Sequence, residues 1–412
     1  MIGIDTGNTA WVLIAAAMVF FMTPGLALFY GGMARSKNVL STIMQSFFLI
    51  GVISVEFMLI GYTLIFGDDV HGIIGSLHKI GLMGTENSIM EGANIPEMAF
   101  IAFQCMFAII TPAIMSGSIT GRMRFAPFVI FAIIWSILIY NPMAHWVWGG
   151  GFLANLGALD FAGGLVIHVL SGVSGLVLCL LLGRRRGYGR MPMLPHHLPM
   201  TVLGGAMLWF GWFGFNAGSA LGAGPLAANA VLTTQMSAAI GIVGWVLVER
   251  YHRGKPTVLG AVSGGVSGLV AITPAAGFVT PVAAIPIGFV GAICCYVAVA
   301  VLKSKFGYDD SLDAFGIHGV GGMWGAIATG LFATVSVNPD GADGLFYGGN
   351  LLIPQLISLV VAIALAIIGT TIIFKVVSLF MDMRVSISAE SLGIDISEHG
   401  EGAYNQSEFK SS

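Results

Sequence analysis

The chain has 412 residues, of which 56% are hydrophobic and 9% are charged. Soluble proteins carry roughly 25% charged residues, so this composition indicates a membrane protein. The 58 glycines are scattered, which excludes a collagen repeat, and small residues let membrane helices approach closely. The net charge of −3 and the lack of a basic patch exclude a nucleic-acid partner of the usual kind.

The cysteines predict neither a disulfide framework nor a metal site, because all of them fall inside apolar runs. No cofactor motif is present either, so no cofactor is expected. The first 34 residues contain no Lys or Arg, and the first apolar run is therefore expected to be a retained membrane span rather than a cleaved signal peptide.

Eleven apolar windows are long enough to cross a bilayer as helices, since about 20 mostly apolar residues suffice. They lack the strict alternation of barrel strands, so we predict an all-α membrane protein. The windows are 8–30, 39–66, 98–120, 125–147, 162–183, 199–217, 227–249, 257–275, 281–302, 313–333 and 351–381.

The basic residues predict the orientation of these spans. Of the 17 Lys and Arg residues, all except Lys79 fall in odd-numbered loops or at or beyond the end of the last window. The positive-inside rule then places the N-terminus outside and the C-terminus in the cytoplasm. We predict a transmembrane domain over residues 1–381 and a cytoplasmic regulatory tail over residues 382–412.

An odd number of spans suggests two inverted repeats of five plus one long final helix, a plan common in transporters. Span five carries Asp160 and His168, and span ten carries Asp313 and His318, each acidic residue preceding its histidine. Histidines in equivalent positions of two repeats are expected to meet near the membrane midplane.

Polar residues inside a membrane usually mark a path for substrate or protons. A single buried histidine is as readily explained by a hydrogen bond between helices, but the pair of His168 and His318 favours a functional role. His145 lies near the outer end of span four, and we assign it a structural role.

Three carboxylates lie within or beside the spans. Asp160, near the outer mouth, has two equally supported roles: attracting a cation, or accepting hydrogen bonds from backbone amides. Asp313 is predicted to cap the start of span ten. Glu56 in span two is left without an assigned role.

Aromatic clusters occur at 103–107, 146–148 and 209–215. From position alone, Trp148 is more typical of an interfacial aromatic belt than of a binding site. Two Gly-x-Ser-Gly sequences, at Ser174 and Ser267, have the form used by intramembrane serine proteases. Their duplication favours helix packing instead, because a nucleophile is needed only once.

With these residues identified, the chain resembles the ammonium transporter family, the Amt/Mep/Rh proteins, over nearly its whole length. The stretches that carry the resemblance are residues 148–151, 157–164, 211–220 and 315–320. The family implies an eleven-helix protomer, a homotrimer and a separate pore in each protomer. It also implies transport of ammonium or ammonia, with methylammonium as an analogue.

The resemblance implies an outer recruitment site formed by Phe107, Trp148 and Ser219. The two rings hold ammonium by cation–π attraction, which is worth about 0.5–2 kcal/mol, and the hydroxyl accepts a hydrogen bond. Asp160 matches the acidic residue that supports this site.

Deeper residues match the family's gate and pore. Phe103 and Phe215 correspond to a stacked phenylalanine gate, His168 and His318 to the pore histidines, and Trp212 to the lower pore lining. An apolar pore favours neutral ammonia over a bare ion, and the histidines are a candidate proton relay. The sequence leaves open whether ammonia crosses alone or together with a proton.

The tail stretch 393–404 resembles a family motif that packs under the trimer, although its polar composition alone is typical of a disordered end. A cytoplasmic signalling protein of the PII type is the expected partner. Three alternatives remain: an ammonium sensor, which would ordinarily carry a larger signalling domain after the last span, a water or urea channel, and an intramembrane protease.

Overall fold

The computed structural model describes residues 3–90 and 92–404. Within these ranges the chain is predominantly helical, and its strands form two short antiparallel pairs. A helix satisfies its own backbone hydrogen bonds, which is why a chain of this hydrophobicity adopts helices in lipid.

Helical segments follow all eleven predicted windows in order. We number them α1 (Thr6–Met33), α2 (Ser36–Phe66), α3 (Glu97–Ile119), α4 (Phe125–Asn155, interrupted after Trp148), α5 (Gly164–Leu182), α6 (Leu198–Gly218), α7 (Pro225–Arg253), α8 (Val258–Ile272), α9 (Ala284–Phe306), α10 (Phe315–Gly319 continued by Val320–Phe332) and α11 (Leu352–Ser378). In the described part of the chain, nine of them are long and apolar enough to cross a membrane. The other two are α8, with 15 residues, and α10.

The two ends of the helix bundle differ. At one end, the segment between α2 and α3 forms two hairpins, and we call this the hairpin end. Its strands are β1 (Asp69–Val70) with β2 (Ile74–Gly75), and β3 (Ile89–Met90) with β4 (Ile95–Pro96). The opposite, tail end carries a short helix, α12 (Ile387–Leu392), and a π-helical turn, α13 (Asp395–His399).

The tail is packed against the loops of the tail end. Asp395 accepts hydrogen bonds from the first turns of α2, including the Ser41 amide at 2.8 Å. The Lys37 ammonium donates to two backbone carbonyls of α12, at 2.9 and 2.6 Å. Residues 382–404 of the predicted tail are therefore held on the transmembrane bundle, whereas residues 405–412 lie outside the described residues.

Glycines allow α5 and α10 to cross in direct backbone contact. A Cβ atom at Gly172 would overlap the backbone of Gly319, and one at Gly322 would lie 3.0 Å from the Cβ of His168. Gly172 and Gly322 each stand four residues after a histidine, His168 and His318 respectively. The crossing therefore brings the two histidine-bearing turns together at the centre of the bundle.

Replacing Gly172 with alanine is expected to lower the free energy of unfolding by about 1–3 kcal/mol, because the added methyl group overlaps the Gly319 backbone. Gly51→Ala on α2 is the matched control, since no atom lies within 4 Å of its added methyl group. Thermal unfolding of the purified variants in detergent measures the difference. Equal midpoints for the two variants would contradict the proposed close crossing.

Candidate functional site

The start of α5 is organised by a buried carboxylate. Asp160 accepts four backbone N–H groups, those of residues 163 and 164 at 2.9 and 2.6 Å and those of residues 165 and 166 at 2.8 and 3.2 Å. The Trp148 indole N–H donates to the Asp160 carbonyl oxygen at 2.8 Å. Of the two roles that the sequence left open, these contacts support the acceptance of hydrogen bonds from backbone amides, and we call a carboxylate in this role a brace. The Trp148 contact connects the brace to α4.

The equivalent brace of α10 is Asp310, and the prediction that Asp313 caps this helix is wrong. The Asp310 carboxylate accepts the amides of Phe315 at 2.9 Å and Gly316 at 3.4 Å. Asp313 adopts a left-handed backbone with φ of 63°, and its side chain pairs with the Lys303 ammonium at 2.5 Å. The left-handed turn carries its side chain toward α9 instead of back onto the helix start.

A cavity of about 390 Å³ opens at the hairpin end between α3, α4 and α6. Its lining includes Phe107, Trp148 and Ser219, the three residues that the resemblance assigns to recruitment. The Ser219 hydroxyl donates to the Phe215 carbonyl at 2.9 Å, which leaves its oxygen lone pairs able to accept. The remaining lining residues are Phe66, Met90, Phe100, Gln104, Val147, Phe161 and Leu221.

The floor of this cavity is closed by phenylalanine rings. The Phe107 and Phe215 ring centroids lie 4.5 Å apart, with the rings inclined at 71°. Phe103, which the resemblance places in the gate, packs edge-on against Phe107 at 4.7 Å. The direct contact below the cavity is thus between Phe107 and Phe215, and Phe103 supports Phe107 from the side.

Two histidines continue the column beneath the phenylalanines. The His168 ring lies 5.9 Å from Phe215 and 5.2 Å from His318, and it stacks on Trp212 at 5.4 Å. All of these rings are at most 3% exposed. Trp212 is fixed by a hydrogen bond from its indole N–H to Thr273 at 2.9 Å. The structure thus brings together the two histidines that the sequence paired.

The histidine contact has a definite hydrogen-bond geometry. The two Nδ1 atoms lie 3.2 Å apart, so one must carry a proton and donate while the other accepts. The two neutral rings therefore hold opposite tautomers. The Nε2 atom of His168 is buried and has no hydrogen-bond partner among the described residues, so it is available to a molecule in the column.

Sequence reasoning missed Asp310 although a signal for it existed. Asp160 precedes His168 by eight residues, and Asp310 precedes His318 by the same eight, whereas Asp313 precedes it by five. A search for an acidic residue eight positions before His318, instead of the nearest one, would have identified the brace. Phe161 and Gln104, which also line the cavity, carry no such signal because aromatic and amide side chains are common in these spans.

Glu56 binds neighbouring polar side chains on α4. The hydroxyl of Ser136 donates to one carboxylate oxygen at 3.0 Å, and the amide of Asn141 donates to the other at 2.8 Å. Glu56 thus connects helices α2 and α4, which explains the presence of a polar residue in span two.

The two candidate protease serines are engaged in packing. Ser174 accepts hydrogen bonds from the Trp135 indole at 3.1 Å and the Thr370 hydroxyl at 2.8 Å. Ser267 donates to the Ser263 carbonyl at 2.8 Å. Both serines are fully buried. Their recorded partners include no histidine in the described part of the chain, which disfavours a nucleophilic role.

Comparison with known proteins identifies the family. The model of the Ammonium Transporter Family matches residues 10–404. The chain belongs to the ammonium transporter family. It is accordingly a multi-pass protein of the cell membrane and not an enzyme.

Similar proteins support this family across the chain. An ammonium transporter of Bacillus subtilis is 53% identical over 403 residues, covering 97% of this chain and 99% of its own length. The crystal structure of Saccharomyces cerevisiae Mep2 superposes with a TM-score of 0.90 at 36% identity, covering 98% of this chain and 92% of Mep2. A protein described as a sensor Amt protein is also similar, with a TM-score of 0.88 at 28% identity over 95% of this chain and 98% of its own.

Replacing Asp310 with asparagine is expected to lower the free energy of unfolding by about 1–2 kcal/mol, because a charged acceptor of buried amides is lost. Asp313→Asn is expected to change it by less than about 1 kcal/mol, since its ion pair is partly exposed and asparagine tolerates the left-handed backbone. Thermal unfolding in detergent compares the two. A larger loss for Asp313→Asn would contradict the assignment of the brace.

Proposed function

We propose that this member of the family recruits ammonium at the hairpin-end cavity, removes its proton there, and conducts ammonia along the column of Phe107, Phe215, His168 and His318. The observation that carries the proposal is the continuity of that column. Each ring lies within 6 Å of the next, from the cavity floor to the histidine pair.

Recruitment depends on the chemistry of the cavity. The Trp148 and Phe107 ring centroids are 6.2 Å apart and inclined at 58°, so one small cation in the cavity can lie within about 6 Å of both. Ser219 supplies an oxygen acceptor at the same cavity. Ammonium makes the ring contacts and donates a hydrogen bond to this acceptor, whereas potassium has no hydrogen bond to donate.

Selection then follows from desolvation. Moving a small ion from water into a low-dielectric interior carries an idealised cost of the order of 20 kcal/mol, and a neutral polar molecule loses far less. The contact of Phe107 with Phe215 excludes water, so these two rings are the proposed gate, with Phe103 as their support. Ammonium therefore releases its proton to water on the cavity side of the gate, and the species that passes between the rings is ammonia.

The histidine pair is the proposed relay for a proton that crosses separately. Opposite tautomers with facing Nδ1 atoms share one proton across 3.2 Å. When the donor ring gains a proton at its Nε2 atom, passes its Nδ1 proton to the other ring, and that ring releases the proton on its own Nε2 atom, both tautomers are reversed and one proton has crossed the pair. Trp212 holds the His168 ring in place by stacking.

The same proposal includes the membrane topology. All eleven helices cross the bilayer, the hairpin end faces outside, and the tail end, with its basic loops, faces the cytoplasm. The inverted-repeat plan is supported by the matching braces, Asp160 and Asp310, and by the π-helical turns that follow them at Gly164–Val169 and Phe315–Gly319.

The assembly and partners are also proposals, and they rest on the family resemblance. We propose a homotrimer with one pore per protomer, a cytoplasmic partner of the PII type, and a regulatory role for residues 382–412. The packing of the tail against α2 gives such a role a structural route, since the contacts of Asp395 and Lys37 join the tail to the first turns of that helix.

A sensing role is the second candidate, and similarity to the sensor Amt protein is what favours it. A sensor needs the recruitment cavity but not conduction. Purified protein that binds ammonium yet produces no current or ammonia flux in liposomes would identify a sensor.

Trp148→Leu is expected to raise the half-saturating ammonium concentration about tenfold, because the cation–π contribution of the larger ring is lost. Maximal current is expected to change less than the half-saturation. Current on a supported membrane loaded with reconstituted liposomes provides both values. Trp209→Leu is the control, since the Trp209 indole lies on another face of α6 and donates to Gln235 of α7. An equal effect of both changes would contradict the cavity assignment.

His168→Ala and His318→Ala are each expected to abolish ammonium-dependent current, because either change removes one partner of the shared proton. The same liposome current assay measures this loss. His252→Gln is the control, since its ring bonds to the Tyr296 hydroxyl at the tail end. Undiminished, ammonium-selective current in the double variant would rule out the relay.

A further inference from the structure

His145 lies outside the column, three residues before Trp148 on α4, and its side chain is fully buried. Its Nδ1 atom is 2.7 Å from the carbonyl oxygen of Ile65. Its Nε2 atom is 2.9 Å from a carboxylate oxygen of Asp69. We call these three residues the latch.

Both partners of the His145 ring are hydrogen-bond acceptors. A backbone carbonyl can only accept, so Nδ1 must carry a proton, and an ionised carboxylate can only accept, so Nε2 must carry one as well. The hydrogen bond from His145 lowers the pKa of the Asp69 carboxyl, which keeps Asp69 ionised at neutral pH. Ile65 lies in the last turn of α2, where helix carbonyls favour a cation. The geometry therefore requires an imidazolium.

The latch connects the first hairpin to the turn that follows Trp148. Asp69 also accepts the Gly72 amide at 2.8 Å, and the Gly72 carbonyl accepts the Phe152 amide at 3.0 Å. The carbonyl of His145 itself accepts the amides of residues 149 and 151, at 2.9 and 3.0 Å. The backbone on both sides of Trp148 is thus fixed through His145.

We propose that His145 is a positioning residue for the recruitment cavity, and that loss of its proton at alkaline external pH frees the hairpin, displaces Trp148 and weakens ammonium recruitment. This inference rests on the proposed function of Trp148. A neutral ring can donate to only one of its two partners. Its other nitrogen would then hold a lone pair less than 3 Å from an acceptor oxygen, and these two atoms would separate.

Other titratable groups surround the latch. On the hairpin segment, His71 stands next to Asp69, and His78 pairs with Asp68 at 3.4 Å. Tyr62, three residues before Ile65 on α2, donates to Glu97, which also pairs with Lys79. Glu56 lies farther along α2, where it accepts from Asn141 of α4. On the cavity side, Asp160 is reached through the Trp148 indole.

The lowered pKa of Asp69 also defines the acidic limit of the latch. A carboxyl whose pKa is lowered in the folded state stabilises the fold above its ordinary pKa and loses that contribution as the pH falls through the lowered value.

The test is the half-saturating concentration of ammonium ion for the full-length protein in liposomes, measured between about pH 6 and about pH 9. In the unmodified protein this concentration is expected to rise roughly three- to tenfold toward alkaline pH. His145→Gln is expected to give the raised value at every pH. Asp69→Asn, at a partly exposed site, is expected to move the transition to lower pH.

Two histidines of the same segment provide controls. His71→Asn keeps a residue that tolerates the left-handed backbone at this position, where φ is 57°, and His78→Gln removes an exposed ring. Both are expected to keep the unmodified pH profile. A profile altered by either control to the same extent as by His145→Gln would overturn the assignment to His145.

The outcomes separate this inference from the proposed function. If Trp148→Leu raises the half-saturation and His145→Gln leaves both its value and its pH profile unchanged, the latch is wrong and the recruitment site stands. If Trp148→Leu has no effect, the proposed function itself fails. Should His145→Gln not fold, nitrogen chemical shifts of labelled histidine in the unmodified protein decide, because a neutral His145 ring at neutral pH overturns the proposal.

Discussion

The cost of removing water from a charge is the constraint on which the proposed mechanism depends. Phe107 and Phe215 touch between the cavity and the histidines, and both are at most 1% exposed. A bare cation in this passage would lose most of its hydration energy, and the passage offers it rings and two imidazoles in return. Neutral ammonia would face no comparable loss, so the proposed mechanism selects by protonation state.

An apolar passage also needs rigid walls, and two buried carboxylates supply them. Asp160 and Asp310 each accept hydrogen bonds from backbone amides at the start of a helix, and negative charge is stabilised there by the helix dipole. Each brace is followed eight residues later by a histidine of the pair. The helix starts and the histidine contact are thus fixed by the same arrangement, repeated once in each half of the chain.

Hydropathy predicted the helical segments, and the matching of two histidines predicted the meeting of His168 with His318. The brace of α10 could not be assigned by proximity, because the backbone φ at Asp313 decides where its side chain points. Phe103 and Phe107 share one helix face, so spacing cannot determine which of them reaches Phe215. The two contacts of His145 depend on a hairpin distant in sequence, and no local pattern predicts them.

The most direct test of selection by desolvation compares the currents that ammonium, methylammonium, potassium and sodium evoke from the reconstituted protein on a supported membrane. The mechanism predicts a current for ammonium, a smaller one for the bulkier methylammonium, and none for potassium or sodium. A potassium current comparable to that of ammonium would contradict it, because potassium has no proton to lose and would have to cross as an ion.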